Sequence, residues 1–197
     1  MKGQMNLLQK LGLCLILGSC VLLLGSEISA VWNRSAVQDL TQQLQACLPE
    51  GSEGDPGQYS DTNMPVLQLK GKDFSGLIQV PAFGVTLPIG SSWEASAISK
   101  YPHRFWGSAY DNSLIIGGSS QKGQFDFCEK MDLGDKITIT DMTGTKFSYE
   151  VVRIDRRKNV QTETLQEGSY DLTLFVQDRI SRAYIIARCM FCNGSAV

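Results

Sequence analysis

From Phe74 onward the chain is cut into short segments that suit a sheet and little else. FSGLIQV, VTLPI, NSLIIGG, DKITITD, KFSYEVVRI, YDLTLFV and RAYIIAR are rich in Val, Ile, Thr, Tyr and Phe, with turn residues between them. Met142-Thr143-Gly144 separates two segments that alternate well, so Ile137 and Ile139 should share a face with Phe147, Tyr149 and Val151 in a hairpin. Two stretches read as short helices: SSWEASAISK, capped by Ser91 or Ser92, and QFDFCEKM. Many strands with few helices predict an all-β (mainly β) fold, a barrel or a sandwich. No internal repeat is visible.

The residues before Phe74 have a different texture. Lys2 and Lys10 precede an apolar run from Leu11 to Gly25. As a helix that run spans roughly 22 Å, short of the ~30 Å hydrocarbon core of a bilayer. Extension through Trp32 brings it near a full crossing, with Glu27 at the outer surface. Such a segment fits an uncleaved signal anchor or a signal peptide cleaved after Ile28-Ser29-Ala30. A lipid-attachment box at Leu17-Gly18-Ser19-Cys20 fits less well, because Val21-Leu22-Leu23-Leu24 continues the run. Either main reading exports the rest of the chain. Val37, Leu40, Leu44 and Leu48 then recur at helical spacing, as in a stalk. PEGSEGDPGQYSDTNMP follows, with the composition of a linker. The expected organisation is a membrane segment over 1–32, stalk and linker over 33–73, and a β domain over 74–192.

Charge excludes one class of partner. A formal net charge of -2 gives no footprint for nucleic acid. The basic run of Arg153, Arg156, Arg157 and Lys158 reads as a solvated turn leaving a strand. Of six cysteines, Cys14 and Cys20 belong to the apolar run. Cys47, Cys128, Cys189 and Cys192 fall in an exported domain where disulfides persist, and three pairings are open to them. Cys189-Met190-Phe191-Cys192 is a CxxC without an evident helix N-terminus or two further ligands, so neither a metal nor a redox role is expected. A zinc set of Cys128, Cys189, Cys192 and His103 is the remote exception. No cofactor is called for.

The order and wording of the β segments resemble the sortase family of Gram-positive bacteria from about Phe74 to Arg188. GLIQVPAFGVTLPI is similar to the family's opening strand pair, and Asn112-Ser113-Leu114-Ile115-Ile116-Gly117-Gly118 to its "N-x-V-I-A-G-H". Phe125 with Met131-Asp132-Leu133-Gly134-Asp135-Lys136-Ile137 is similar to "F-x-x-L-x-x-l-k-x-G-D-x-I". Leu172-Thr173-Leu174-Phe175-Val176-Gln177 falls where the family has "L-T-L-x-T-C". The resemblance implies a closed eight-stranded β-barrel with short helices, preceded by an N-terminal membrane helix that holds the domain outside a cell membrane.

It also implies a site, and the site is depleted. A sortase joins a sorting-signal peptide to an amine through a thiolate, a histidine and an arginine. Here the cysteine position reads Gln177 and the histidine position Gly118, while Arg182 or Tyr184 stands at the arginine position. Loss of a nucleophile or base costs on the order of 10⁶-fold in a well-studied protease. A relocated site would have to use Cys128 or the Cys189/Cys192 pair with His103, the sole histidine. Tyr101, Phe105, Trp106 and Tyr110 form an aromatic group that would line or plug a peptide groove. Two functions are therefore carried forward. One is a non-catalytic scaffold or regulator that binds a peptide, a pilin subunit or a sortase. The other is a divergent cysteine transpeptidase with relocated residues.

Overall fold

The computed structural model describes residues 35–178 and 181–192. The predicted membrane segment, with Cys14 and Cys20, lies outside the described residues. Among the described residues no helix is long and apolar enough to cross a membrane.

A helix over 35–47 (α1) opens the described chain. Its apolar stripe is used as its spacing predicts: Val37 and Leu44 are buried, and Leu40 and Leu48 are partly covered. Nine strands follow: β1 (Leu67–Leu69), β2 (Lys72–Val80), β3 (Val85–Gly90), β4 (His103–Trp106), β5 (Leu114–Ser119), β6 (Lys136–Asp141), β7 (Lys146–Arg157), β8 (Leu172–Gln177) and β9 (Tyr184–Phe191). The sheet runs β1-β2-β3-β4-β5-β8-β9-β7-β6, and β6 pairs back onto β2. That last pairing closes eight of the strands into a barrel and removes the open edges. The β5–β8 pair is parallel, and α2 (Thr162–Gln166) lies in the connection that makes this possible.

The predicted hairpin forms, with Ile137 opposite Tyr149 and Ile139 opposite Phe147. All four fill the barrel interior together with Leu114, Ile116, Leu174, Val176 and Ile185. Of the two predicted short helices, 125–129 is a 3-10 turn, while 91–100 is a chain of turns without a helix. SSWEASAISK offers caps but no apolar stripe for a helix to bury.

The segment read as a linker does more than link. Gly54 N–H donates to the Lys146 carbonyl, Lys146 N–H to Ser52, and Gly57 N–H to Tyr110. Met64 is buried, and Tyr59 stacks on Tyr110 with ring centroids 4.0 Å apart. Its glycines allow this approach: a Cβ on Gly54 would stand 2.4 Å from the Phe147 ring. A polar, glycine-rich strap needs only two apolar side chains and a few backbone bonds to lie flat on a finished barrel.

Candidate functional site

Cross-strand register arranges the outer face of β5, β8, β9 and β7 in rows, because directly paired residues point to the same side. The first row is Ser119, Gln177, Tyr184 and Arg157. The second is Gly117, Phe175, Ile186 and Asp155, and the third Ile115, Thr173, Arg188 and Arg153. The residue at the cysteine position thus sits at an exposed strand end, with Tyr184 as its direct neighbour on β9. Arg182 lies outside the strand, in the turn before it, with φ 58°. Its carbonyl accepts from Gln177 Nε2 at 3.2 Å. In register it is Tyr184, and not Arg182, that stands directly beside Gln177.

Gly118 is one residue out of phase with this face. Its side-chain direction is inward, where a Cβ would come within 2.5 Å of the Phe125 ring. Phe125 is fully buried, so it has no free direction in which to yield. The volume that a side chain at 118 would need is already filled.

His103 lies on β4, buried, and not in a loop as its sequence context suggests. Its ring occupies the space over Gly90, whose Cβ would be 2.3 Å from Nδ1. Nδ1 is 2.7 Å from the Ser92 carbonyl oxygen, and the ring stacks on Tyr101 at 4.9 Å. Nε2 has no partner. His103 pairs with Gly117, so it is two strands and one row away from Gln177. That is roughly 12 Å backbone to backbone at ~4.8 Å between strands and ~3.3 Å per residue, outside hydrogen-bond reach. Burial pushes its pKa below the ordinary value. The unfolded chain therefore takes up a proton first as the pH falls, and the His103 contribution to stability is lost below about pH 6.5. The single imidazole resonance in an NMR titration should accordingly move only at a pH lower than that of a free histidine.

Cys128 and Cys189 are buried, and burial raises both thiols. Cys47 is exposed and Cys192 half-buried, with its sulfur 3.8 Å from Lys136 Nζ. All four are free thiols, not a bridged pair. Among the described residues no group of three or more His, Cys, Asp or Glu side chains is placed to hold a metal. With a mild thiol reagent on the folded chain, peptide mapping should find Cys47 and Cys192 modified at least about tenfold faster than Cys128 and Cys189.

The aromatic group divides. Tyr101 is buried with Phe74, Leu77 and Leu44. Tyr110 is buried in the main core, and its hydroxyl donates to Asp141 Oδ2 at 2.5 Å. Only Phe105 and Trp106 reach the outer face. There Phe105 joins two residues that the sequence reading missed, Trp93 and Phe175, in a triad with centroids 5.2 to 5.6 Å apart. The triad covers Gly117, where a Cβ would meet both Trp93 and Phe175. The sequence places Trp93 in a predicted helix and Phe175 in an ordinary strand; only the β5–β8 register brings them together. Beside the triad, Trp93, Arg104, Phe105, Trp106 and Ser108 border a pocket of about 420 Å³, and Thr62 and Asn63 of the strap reach its rim.

No family model and no curated protein matches the chain. Solved structures do. Sortase C1 of Streptococcus agalactiae is similar over 66% of this chain and 72% of its own, at 18% identity and a TM-score of 0.56. Sortase A of Corynebacterium diphtheriae covers 83% of this chain and 84% of its own, at 17% identity and a TM-score of 0.55. A sortase D5 transpeptidase of Clostridium perfringens covers 61% and 79%, at 20% identity and a TM-score of 0.51. Barrel closure, parallel β5–β8 pairing and these likenesses agree that the chain has a sortase-like fold.

Proposed function

We propose that the chain is a sortase-like binding domain, tethered outside a membrane by its N-terminal apolar segment, that engages a peptide, a pilin subunit or a sortase without transpeptidation. The row at the end of β8 carries the reading. By the sortase resemblance Gln177 falls where a thiolate would be needed, its row neighbours are Ser119 and Tyr184, and the inward space at Gly118 is taken by Phe125. An amide has no nucleophilic atom for acyl transfer, and no histidine lies within reach to serve as base. The relocated alternative draws little support from geometry: Cys128, Cys189 and His103 are buried, and the half-buried Cys192 lies beside Lys136 whereas His103 packs against Gly90 and Tyr101. For binding, the face offers two exposed indoles, Trp93 and Trp106, which border the pocket together with Arg104. Such a concave, partly aromatic surface suits an apolar side chain of an extended peptide.

The test is intact-mass labelling of the full chain with a sorting-signal peptide bearing a thiol-reactive group at its scissile position. The expected result is no adduct beyond that of the same electrophile without the peptide. A single-cysteine adduct that depends on His103 would overturn the reading. Binding of the unmodified peptide should change less than about twofold in Gln177→Ala, and fall about tenfold or more in Trp93→Ala.

A further inference from the structure

Across Trp106 from that pocket is a second one of about 420 Å³, with Ile115, Thr173 and Arg188 of the third row in its floor. Arg188 is only 3% exposed. Its Nη1 donates to the Leu165 carbonyl and to Thr173 Oγ1, and its Nη2 to the Thr164 carbonyl. Every one of these acceptors is neutral. Nε–H has no acceptor, and none of the ion pairs among the described residues includes Arg188. A buried cation with only neutral partners is costly, and an anion brought to it would offset that cost.

The surroundings make the deficit sharper. Arg153 is the direct cross-strand neighbour of Arg188 on the same face, an arrangement of like charges that a sheet normally avoids. Tyr170 lies between them: its ring is 5.3 Å from the Arg188 guanidinium, and its hydroxyl engages Arg153. The nearby carboxylates have other bonds. Asp155 pairs with Arg153 and Glu167 with Arg157, and Asp171, which itself lines the pocket, accepts from Phe191 N–H through Oδ2. Asn112 and Trp106 also line the pocket, and Trp106 presents an indole that is 57% exposed. Ser113 and Ser169 add hydroxyls.

We infer that this pocket is a binding site for an anionic monosaccharide-sized ligand, a sugar acid or a sugar phosphate, with its charged group on Arg188 and its ring against Trp106. An oxyanion supplies the charge and the acceptor that the Arg188 Nε–H lacks, the Ser113 and Ser169 hydroxyls meet a sugar hydroxyl, and the aromatic platform takes the ring's apolar face. The volume lies in the range of small-ligand sites.

The experiment is titration of the full chain with glucuronate, glucose 6-phosphate and neutral glucose, read by calorimetry and by tryptophan fluorescence. At least one of the two anions should bind about tenfold or more tightly than glucose. Whichever anion is preferred assigns the source as carboxylate or phosphate. Arg188→Gln should remove that preference. Trp106→Ala, at an exposed site that leaves the fold intact, should weaken the anion about tenfold, whereas Trp93→Ala should leave it unchanged. No saturation by either anion up to roughly 10 mM, equal affinity for glucose and the anions, or an unaltered Trp106→Ala would overturn the assignment. The proposed peptide pocket can fail its own test without affecting this one.

Discussion

Introducing the pair that the sortase resemblance would call for, Gly118→His with Gln177→Cys, is expected to destabilise the barrel by about 2–3 kcal/mol and to produce no peptide cleavage. The two halves of the swap differ in kind. Gln177 is exposed at a strand end and makes one side-chain hydrogen bond, to the Arg182 carbonyl. Gln177→Cys alone should therefore stay within about 0.5 kcal/mol of the parent in urea unfolding. Gly118 faces inward, and even a methyl group there meets the Phe125 ring, which is fully buried. Gly118→Ala should thus already show much of the loss, which separates overpacking from any effect of imidazole. Truncating the obstacle in the triple variant with Phe125→Ala would open the space but cost about 3 kcal/mol or more by cavity formation. A Gly118→His, Gln177→Cys chain as stable as the parent, and able to form an acyl adduct, would mean that this end of the barrel remodels freely. The reading of the site would then have to change.

The barrel was legible because its evidence is local and repeated. Segments such as DKITITD and KFSYEVVRI carry strand period, turn and partner within a few residues, and their register came out as the alternation requires. The strand positions of Gly118 and Gln177 were legible for the same reason, since each belongs to a short run within one strand. Side-chain partnerships between strands distant in sequence were not. Trp93, Phe105 and Phe175 meet only because β4 lies beside β5 and β5 pairs in parallel with β8. Tyr101 and Tyr110, close to Phe105 in sequence, turn into two different clusters. The strap was misjudged on composition: glycines that signal flexibility in isolation also permit close approach to Thr145 and Phe147 once the barrel exists. Arg188 enters from the sequence only as the end of the sortase-like stretch, because burial of a cation cannot be read from strand spacing.

Asp141→Ala should be the most damaging substitution outside the hydrophobic core, costing about 3 kcal/mol or more in urea or thermal unfolding. Asp141 is fully buried at the end of β6 and satisfies four donors. Oδ1 accepts from Thr143 N–H at 2.8 Å, Thr143 Oγ1 at 2.7 Å and Thr145 N–H at 2.9 Å. Oδ2 accepts from the Tyr110 hydroxyl. One carboxylate thus shapes the β6–β7 turn and anchors the ring on which the strap residue Tyr59 is stacked. Removing it strands the buried Tyr110 phenol, whose partner water cannot readily replace, and takes the shared acceptor from the Thr143 and Thr145 N–H groups of the turn. Asp141→Asn retains an acceptor for the turn but offers Tyr110 an amide instead of a carboxylate, so about half the loss is expected. Tyr110→Phe removes only the phenol and should cost about 1 kcal/mol. The double variant Asp141→Ala, Tyr110→Phe should then lose less than the sum of its parts, because the unsatisfied phenol is gone. Hydrogen exchange gives the independent readout. Gly54 and Gly57 N–H, bonded to Lys146 and Tyr110, should lose protection in Asp141→Ala while the β8–β9 amides keep theirs. Uniform loss of protection across the barrel would show that Asp141 supports the whole fold and not the strap in particular.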